Sequence, residues 1–186
     1  GHEFAGEIVR VGKNVKDWRP GQRIVSDNTG HVCGRCPACE RGDYLLCSEK
    51  VNLGLGYGYS GGFTKYCRIP GEILAIHKRA IWEIPEGLEY EEAAVMDPIC
   101  NAYKAIAQRS GLLPGENVVI FGTGPLGLFS VQIAKIMGAL NIVVVGLEED
   151  VKVRFGVARQ LGATEVVNGS AEDVVKRCQE ICGGCD

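Results

Sequence analysis

The chain has 186 residues, enough for one domain or parts of two, with 46% hydrophobic residues, 23% charged residues and a net charge of −3. These proportions suit a soluble globular protein, and without any Lys/Arg block nucleic acid is not an expected partner. The apolar runs are short and interrupted by glycine, so none reads as membrane-spanning, and a chain that opens at Gly1-His2-Glu3 without Met says little about a leader segment.

In chain order, residues 1 to about 97 read as strands and loops. Ile8-Val9-Arg10-Val11-Gly12 has the β-branched composition and glycine stop of a strand. Gly21–Val25 predicts another after a Pro20-Gly21 turn, and the alternation over residues 61–70 predicts a third. The first helix is expected at Glu89–Ala94. The texture changes after Asp97-Pro98. Ala102–Arg109 suits a helix, and Asn117–Phe121 an apolar parallel strand. Leu126, Phe129, Ile133 and Met137 recur at helical spacing up to Gly138. Asn141–Val145 is a second strand, Asp150–Leu161 a helix and Glu165–Asn168 a third strand. Ser170 and Asp173 suggest a cap on a last helix. The order β-α-β-α-β-α is the first half of a doubly wound sheet.

Nine cysteines is an odd number, and four of them crowd into one cluster, which favours metal over disulfides in a reducing compartment. Cys33, Cys36, Cys39 and Cys47 have the spacing C-x2-C-x2-C-x7-C, with Gly34, Pro37 and Gly42 supplying turns. Four thiolates around one zinc would close the site to water and make it structural. An iron–sulfur cluster and a pair of disulfides are the alternatives. Cys178, Cys182 and Cys185 form C-x3-C-x2-C, a spacing also seen in cluster-bearing radical enzymes. Here it closes a helix of a dinucleotide-type fold, and no cluster is expected. Cys67 and Cys100 read as buried small residues, and His31 and His77 as loop residues rather than ligands.

Gly122-Thr123-Gly124-Pro125-Leu126-Gly127 is a G-x-G-x-x-G turn placed between a strand and a helix, as a dinucleotide fingerprint requires. Gly122 makes the turn, Gly124 lets a pyrophosphate approach the backbone and Gly127 permits close helix–strand packing. The acid that would bind the ribose belongs at the end of the second strand, where Gly146 stands. Glu148 follows closely and is the candidate, while Lys152 and Arg154 could receive a 2′-phosphate instead. The acidic run Glu148-Glu149-Asp150 favours NAD over NADP.

Gly1-His2-Glu3-Phe4-Ala5-Gly6-Glu7, the four-cysteine loop and Gly122–Gly127 occur in an order that resembles the zinc-containing medium-chain alcohol dehydrogenases. Asp97-Pro98-Ile99-Cys100-Asn101-Ala102 and Gly30-His31-Val32-Cys33 are most similar to the polyol (sorbitol) and L-threonine 3-dehydrogenase branch. The resemblance covers essentially the whole chain. It implies an α/β protein: a GroES-like β-rich catalytic domain over residues 1–97, then a Rossmann NAD(P)-binding domain over residues 98–186, each incomplete. It also implies a second, catalytic zinc on His2, Glu3 and Asp97, completed by a cysteine upstream of Gly1, and cofactor contacts at Gly122, Gly124, Pro125, Leu126, Gly127 and Glu148. The implied activity is hydride transfer between NAD(P) and a secondary alcohol of polyol, sugar-acid or L-threonine type. The full-length protein is then expected to be a cytoplasmic homo-oligomer acting on a small molecule, with no membrane or nucleic-acid partner. The rivals are a family reductase without catalytic zinc and an inactive zinc-stapled nucleotide-binding module.

Overall fold

The computed structural model describes residues 1–50 and 54–183, and the chain divides into two compact units, Gly1–Asp97 and Pro98–Asp186.

The first unit is built on a three-stranded antiparallel sheet, β1 (Ala5–Glu7), β2 (Arg23–Ser26) and β3 (Ile81–Glu83), in that order. Gly6 faces Ile24, and Val25 faces Trp82. Along β2 the alternation buries Ile24 and Ser26, as a half-buried strand requires. The expected strand over residues 8–12 lies earlier. Pairing extends past β1 only to Ile8, which exchanges hydrogen bonds of 2.9 and 2.8 Å with Gln22 and Gly21, and Val9 is exposed. The β-branched residues beyond Ile8 have no ladder to join. Residues 61–70 hold no strand either. Their alternation is carried by Phe63 and Tyr66, both well exposed, so neither face is buried.

Short helices precede residue 89, contrary to the sequence expectation. They are α1 (Pro37–Glu40), with proline in its first turn, and α2 (Gly71–Ile76), which buries Ile73. Helix α3 (Tyr90–Ala94) falls where predicted and carries a capping box between Glu89 and Glu92.

Helix α4 (Met96–Tyr103) starts six residues before the expected Ala102, because Pro98 lies in its first turn, where a missing N–H costs nothing. It continues as a π-helix, Lys104–Arg109. Cys100 is exposed and Cys67 half-buried, so neither is the buried small residue expected; on α4 the buried positions are Pro98 and Ala102.

The second unit centres on a parallel sheet, β4 (Asn117–Phe121), β5 (Asn141–Gly146) and β6 (Glu165–Asn168), in that order. The central strand is buried on both faces. Ile142 and Val144 pack with Val131 and Ala134 of α5 (Pro125–Ile136) and Ala158 of α6 (Arg154–Leu161). Val143 and Val145 pack with Cys178 of α7 (Val174–Cys182). Each such valine contributes about 1.5–3 kcal/mol of burial. Helices on both faces of a parallel sheet make this a doubly wound α/β unit.

Two details differ from the sequence reading. The buried face of α5 is Ser130, Val131 and Ala134, and Leu126 is exposed near its start. The helix expected from Asp150 begins at Arg154, because Glu148–Asp150 form a separate 3-10 turn. Asp173 caps α7 through a 3.1 Å bond from the Lys176 N–H.

Candidate metal centres and dinucleotide turn

In the first unit, the loop holding α1 brings Cys33, Cys36, Cys39 and Cys47 together, with all four sulfurs within 4.8 Å of one another. Cys33 Sγ and Cys39 Sγ are 3.9 Å apart. A tetrahedron of ~2.3 Å metal–sulfur bonds has an edge of about 3.8 Å, so this spacing fits a zinc ion. None of the four is in a disulfide. The backbone is turned to favour thiolates. Amides of Cys39 and Ser48 bond Cys36 and push its pKa down to about 6. Cys47 is also lowered, first by the Cys33 N–H at 3.4 Å and then by the Glu49 amide. Cys39 is the most desolvated, and burial pushes it up to about 12. A cation is what would let all four ionise together.

At the other side group of the unit, His2 and Glu3, just before β1, meet Asp97 of α4, with one ligand atom of each within 4.8 Å of the others. His2 Nε2 is 3.6 Å from Asp97 Oδ2. The Tyr57 hydroxyl is 3.3 Å from His2 Nε2, and the two rings stack at 4.9 Å. Asn28 donates from Nδ2 to Asp97 Oδ1 at 3.1 Å, while its own Oδ1 is buried with no partner among the described residues. One imidazole and two carboxylates suit a divalent transition metal, and a buried orphan acceptor shows that the polar network there is incomplete as it stands.

Two residues in this region escaped the sequence reading. Asn28 and Tyr57 reach Asp97 and His2 from 69 and 55 positions away, and no motif marks them. His77 is a loop residue at the end of α2, as expected, and pairs with Asp27 at 2.6 Å. Cys185 lies outside the described residues, while Cys178 and Cys182 stand one turn apart on α7.

In the second unit, the glycine turn joins β4 to α5. Gly122 has φ +102°, which a side chain would strain. A Cβ at Gly127 would overlap the Gly122 carbonyl, so that glycine permits the close packing of helix on turn. Gly124 caps α5 with open space where a Cβ would stand, and Pro125 begins the helix. The turn is therefore open to a pyrophosphate at the positive end of a twelve-residue helix.

At the ribose end the space beside Gly146 is already filled. A Cβ there would lie 2.5 Å from Phe155 Cε1, 2.8 Å from Asp150 Oδ2 and 3.0 Å from Thr123 Cγ2. The Leu147 N–H and the Thr123 hydroxyl hold the Asp150 carboxyl below the usual carboxylate range. Arg154 donates to the Thr123 carbonyl at 2.9 Å. Glu148 accepts from Asn168 at 2.7 Å.

A thiolate loop, a histidine–carboxylate cluster and a fingerprint on a doubly wound sheet together define a zinc-type dehydrogenase class. Comparison with known proteins bears this out. The family model described as alcohol dehydrogenase GroES-like domain matches residues 1–79, and the one described as zinc-binding dehydrogenase matches residues 125–186. The chain belongs to the zinc-type alcohol dehydrogenase family.

Zinc-type alcohol dehydrogenase-like protein YdjL of Escherichia coli is 72% identical over 98% of this chain and 51% of its own length. D-arabitol-phosphate dehydrogenase of Enterococcus avium is 36% identical over 99% of this chain and 49% of its own. Sorbitol and L-threonine 3-dehydrogenases match as well. A solved zinc-binding dehydrogenase from Sinorhizobium meliloti, bound to NADP, superposes with a TM-score of 0.81 at 34% identity, covering 95% of this chain and 47% of that one. The chain thus spans about half the length of the curated relatives it matches. Among the described residues, no helix is long and apolar enough to cross a membrane.

Proposed function

We propose that this chain forms part of a zinc-dependent oxidoreductase that moves a hydride between a secondary alcohol and NAD(P). The observation that carries this reading is the approach of His2 and Glu3 to Asp97 from 94 or more positions away in the sequence, with ligand atoms within 4.8 Å. Residues 1–97 act as the catalytic domain and residues 98–186 as the cofactor domain. His2, Glu3 and Asp97 hold the catalytic zinc, together with a cysteine supplied from upstream, and Cys33, Cys36, Cys39 and Cys47 hold the structural one. Zinc at the first of these sites supplies Lewis acidity to a substrate oxygen.

The chain's own residues do the rest. Tyr57 stacks on the His2 ring at an interplanar angle of 27° and restricts its orientation. The N-terminus of α5, reached through Gly122, Gly124, Pro125, Leu126 and Gly127, would receive the pyrophosphate of the cofactor. Glu148, in the 3-10 turn that follows β5, would pair with the ribose hydroxyls and disfavour a 2′-phosphate, which gives NAD the preference. The relatives named for D-arabitol phosphate, sorbitol and L-threonine support a polyol or amino-alcohol substrate. Four cysteines crowded at metal-type spacing fit a reducing, cytoplasmic setting.

The test is the full-length gene product, assayed with a panel of polyols, polyol phosphates, sugar acids and L-threonine in both cofactors, with zinc counted per chain. Two zinc ions and NAD(P)-linked oxidation of at least one secondary alcohol are expected. A single zinc with no turnover on the panel would favour the inactive, zinc-stapled module.

A further inference from the structure

The end of β2 carries an arrangement that the metal ligands alone do not explain. Among the described residues, Asn28 is the one non-glycine residue with a positive φ, +63°. Left-handed backbone is unfavourable for residues with a Cβ, and asparagine tolerates it better than most. Its conformation is closely determined. Ser26 Oγ accepts the Asn28 N–H at 3.0 Å and donates in turn to the Ala80 carbonyl at 3.2 Å. The Asn28 carbonyl accepts the N–H of Leu55, a fully buried residue, at 3.3 Å.

Held in this way, the side chain reaches 69 positions along the chain to Asp97, where Nδ2 donates to Oδ1 at 3.1 Å. The other carboxylate oxygen, Oδ2, is the one that lies 3.6 Å from His2 Nε2. One oxygen of Asp97 thus accepts from Asn28 while the other faces His2. The amide cannot be turned over to serve its own buried Oδ1, because that would set one acceptor against another at Asp97. A residue with a Cβ held in left-handed backbone bears a local cost. Such costs persist where the surroundings fix a geometry that function uses.

We infer that Asn28 is the positioning residue for Asp97: its amide fixes one carboxylate oxygen so that the other is presented toward His2 and Glu3. This rests on the reading of His2, Glu3 and Asp97 as ligands of the catalytic zinc. Asn28 touches neither substrate nor cofactor in this role. It acts through Asp97, as groups that orient metal ligands do.

Two variants of the full-length protein test the inference. Asn28→Gly keeps the left-handed backbone without strain and removes the amide. Asn28→Asp keeps the size and puts a negative charge against Asp97. The readouts are the rate at which each zinc is lost to EDTA and the visible spectrum of the cobalt-substituted second site. The four-cysteine zinc serves as an internal marker of folding. Asn28→Gly is expected to lose the second zinc about tenfold faster than wild type, with an altered cobalt spectrum, while retaining the four-cysteine zinc. Asn28→Asp should lose it faster still. Wild-type release and an unchanged cobalt spectrum in both variants would overturn the role of Asn28 and leave the ligand assignment standing. A wild-type protein with only the four-cysteine zinc would overturn the ligand assignment itself, and this inference with it.

Discussion

Cys39 and Cys47 are buried, and Cys33 and Cys36 are half-buried in the same small cluster with Val32 and Tyr44. That cluster is small, so an ion shared by the four sulfurs would contribute directly to folding here. Cys39→Ala should remove one zinc per chain by elemental analysis and make residues 33–47 sensitive to protease. Iron in place of zinc, or full zinc content in the variant, contradicts the assignment. A second residue-scale prediction concerns Asp150, whose carboxyl is held low by the Leu147 N–H and the Thr123 hydroxyl. A depressed folded-state pKa contributes stability above the unfolded value of about 3.9, and that contribution is lost as pH falls through the folded value. The gap in thermal midpoint between wild type and Asp150→Ala should therefore be constant near neutrality and close below about pH 3.9. A gap that persists undiminished into strong acid would show that the carboxylate is not responsible.

At the scale of elements, two glycines near the fingerprint should behave oppositely. A methyl group at Gly146 meets Phe155, Asp150 and Thr123 at 3.0 Å or less, and Phe155 is buried. Gly146→Ala should cost about 1–3 kcal/mol in urea unfolding, the usual cost of overpacking. At Gly124 the same methyl meets nothing within 4 Å and the backbone has φ −71°, so stability should hold within about 0.5 kcal/mol while dinucleotide affinity falls. Equal effects on stability at the two sites would refute this account of the turn.

The same contrast explains what could be read in advance. Strand β5 is an apolar run buried along nearly all its length, flanked by the half-buried β4 and β6 with their valine pairs, and burial writes itself into composition; the predicted and observed ranges agree except that β5 includes Gly146. In the first unit, strands of three or four residues are too short to show a period. Their placement is fixed by contacts such as Arg23 to the Leu88 carbonyl at 2.6 Å, 65 positions apart. The four-cysteine loop was legible because its ligands are local. His2, Glu3 and Asp97 were found by family resemblance, and Asn28 and Tyr57 were invisible because long-range hydrogen bonds leave no spacing signature.

For the whole molecule, the balance of acid and base at the end of β5 sets the expected cofactor. Glu148 and Asp150 oppose a phosphate, whereas Arg154 is occupied by the Thr123 carbonyl and lies 3.7 Å from Asp150. The full-length protein should have the higher kcat/KM with NAD, and Glu148→Ala should narrow the ratio about tenfold, the worth of one charge-assisted hydrogen bond. A wild-type preference for NADP would reverse the argument, and an unchanged ratio would remove Glu148 from it. The central claim is that His2, Glu3 and Asp97 form the reaction centre of an alcohol dehydrogenase. Its most direct test is the initial rate of NAD(P)H formation on the best polyol substrate, compared between full-length wild type and His2→Ala. Loss of Lewis-acid assistance worth several kcal/mol predicts a fall of roughly a thousandfold or more, with the four-cysteine zinc still in place. A His2→Ala enzyme that oxidises the alcohol at the wild-type rate would contradict the account.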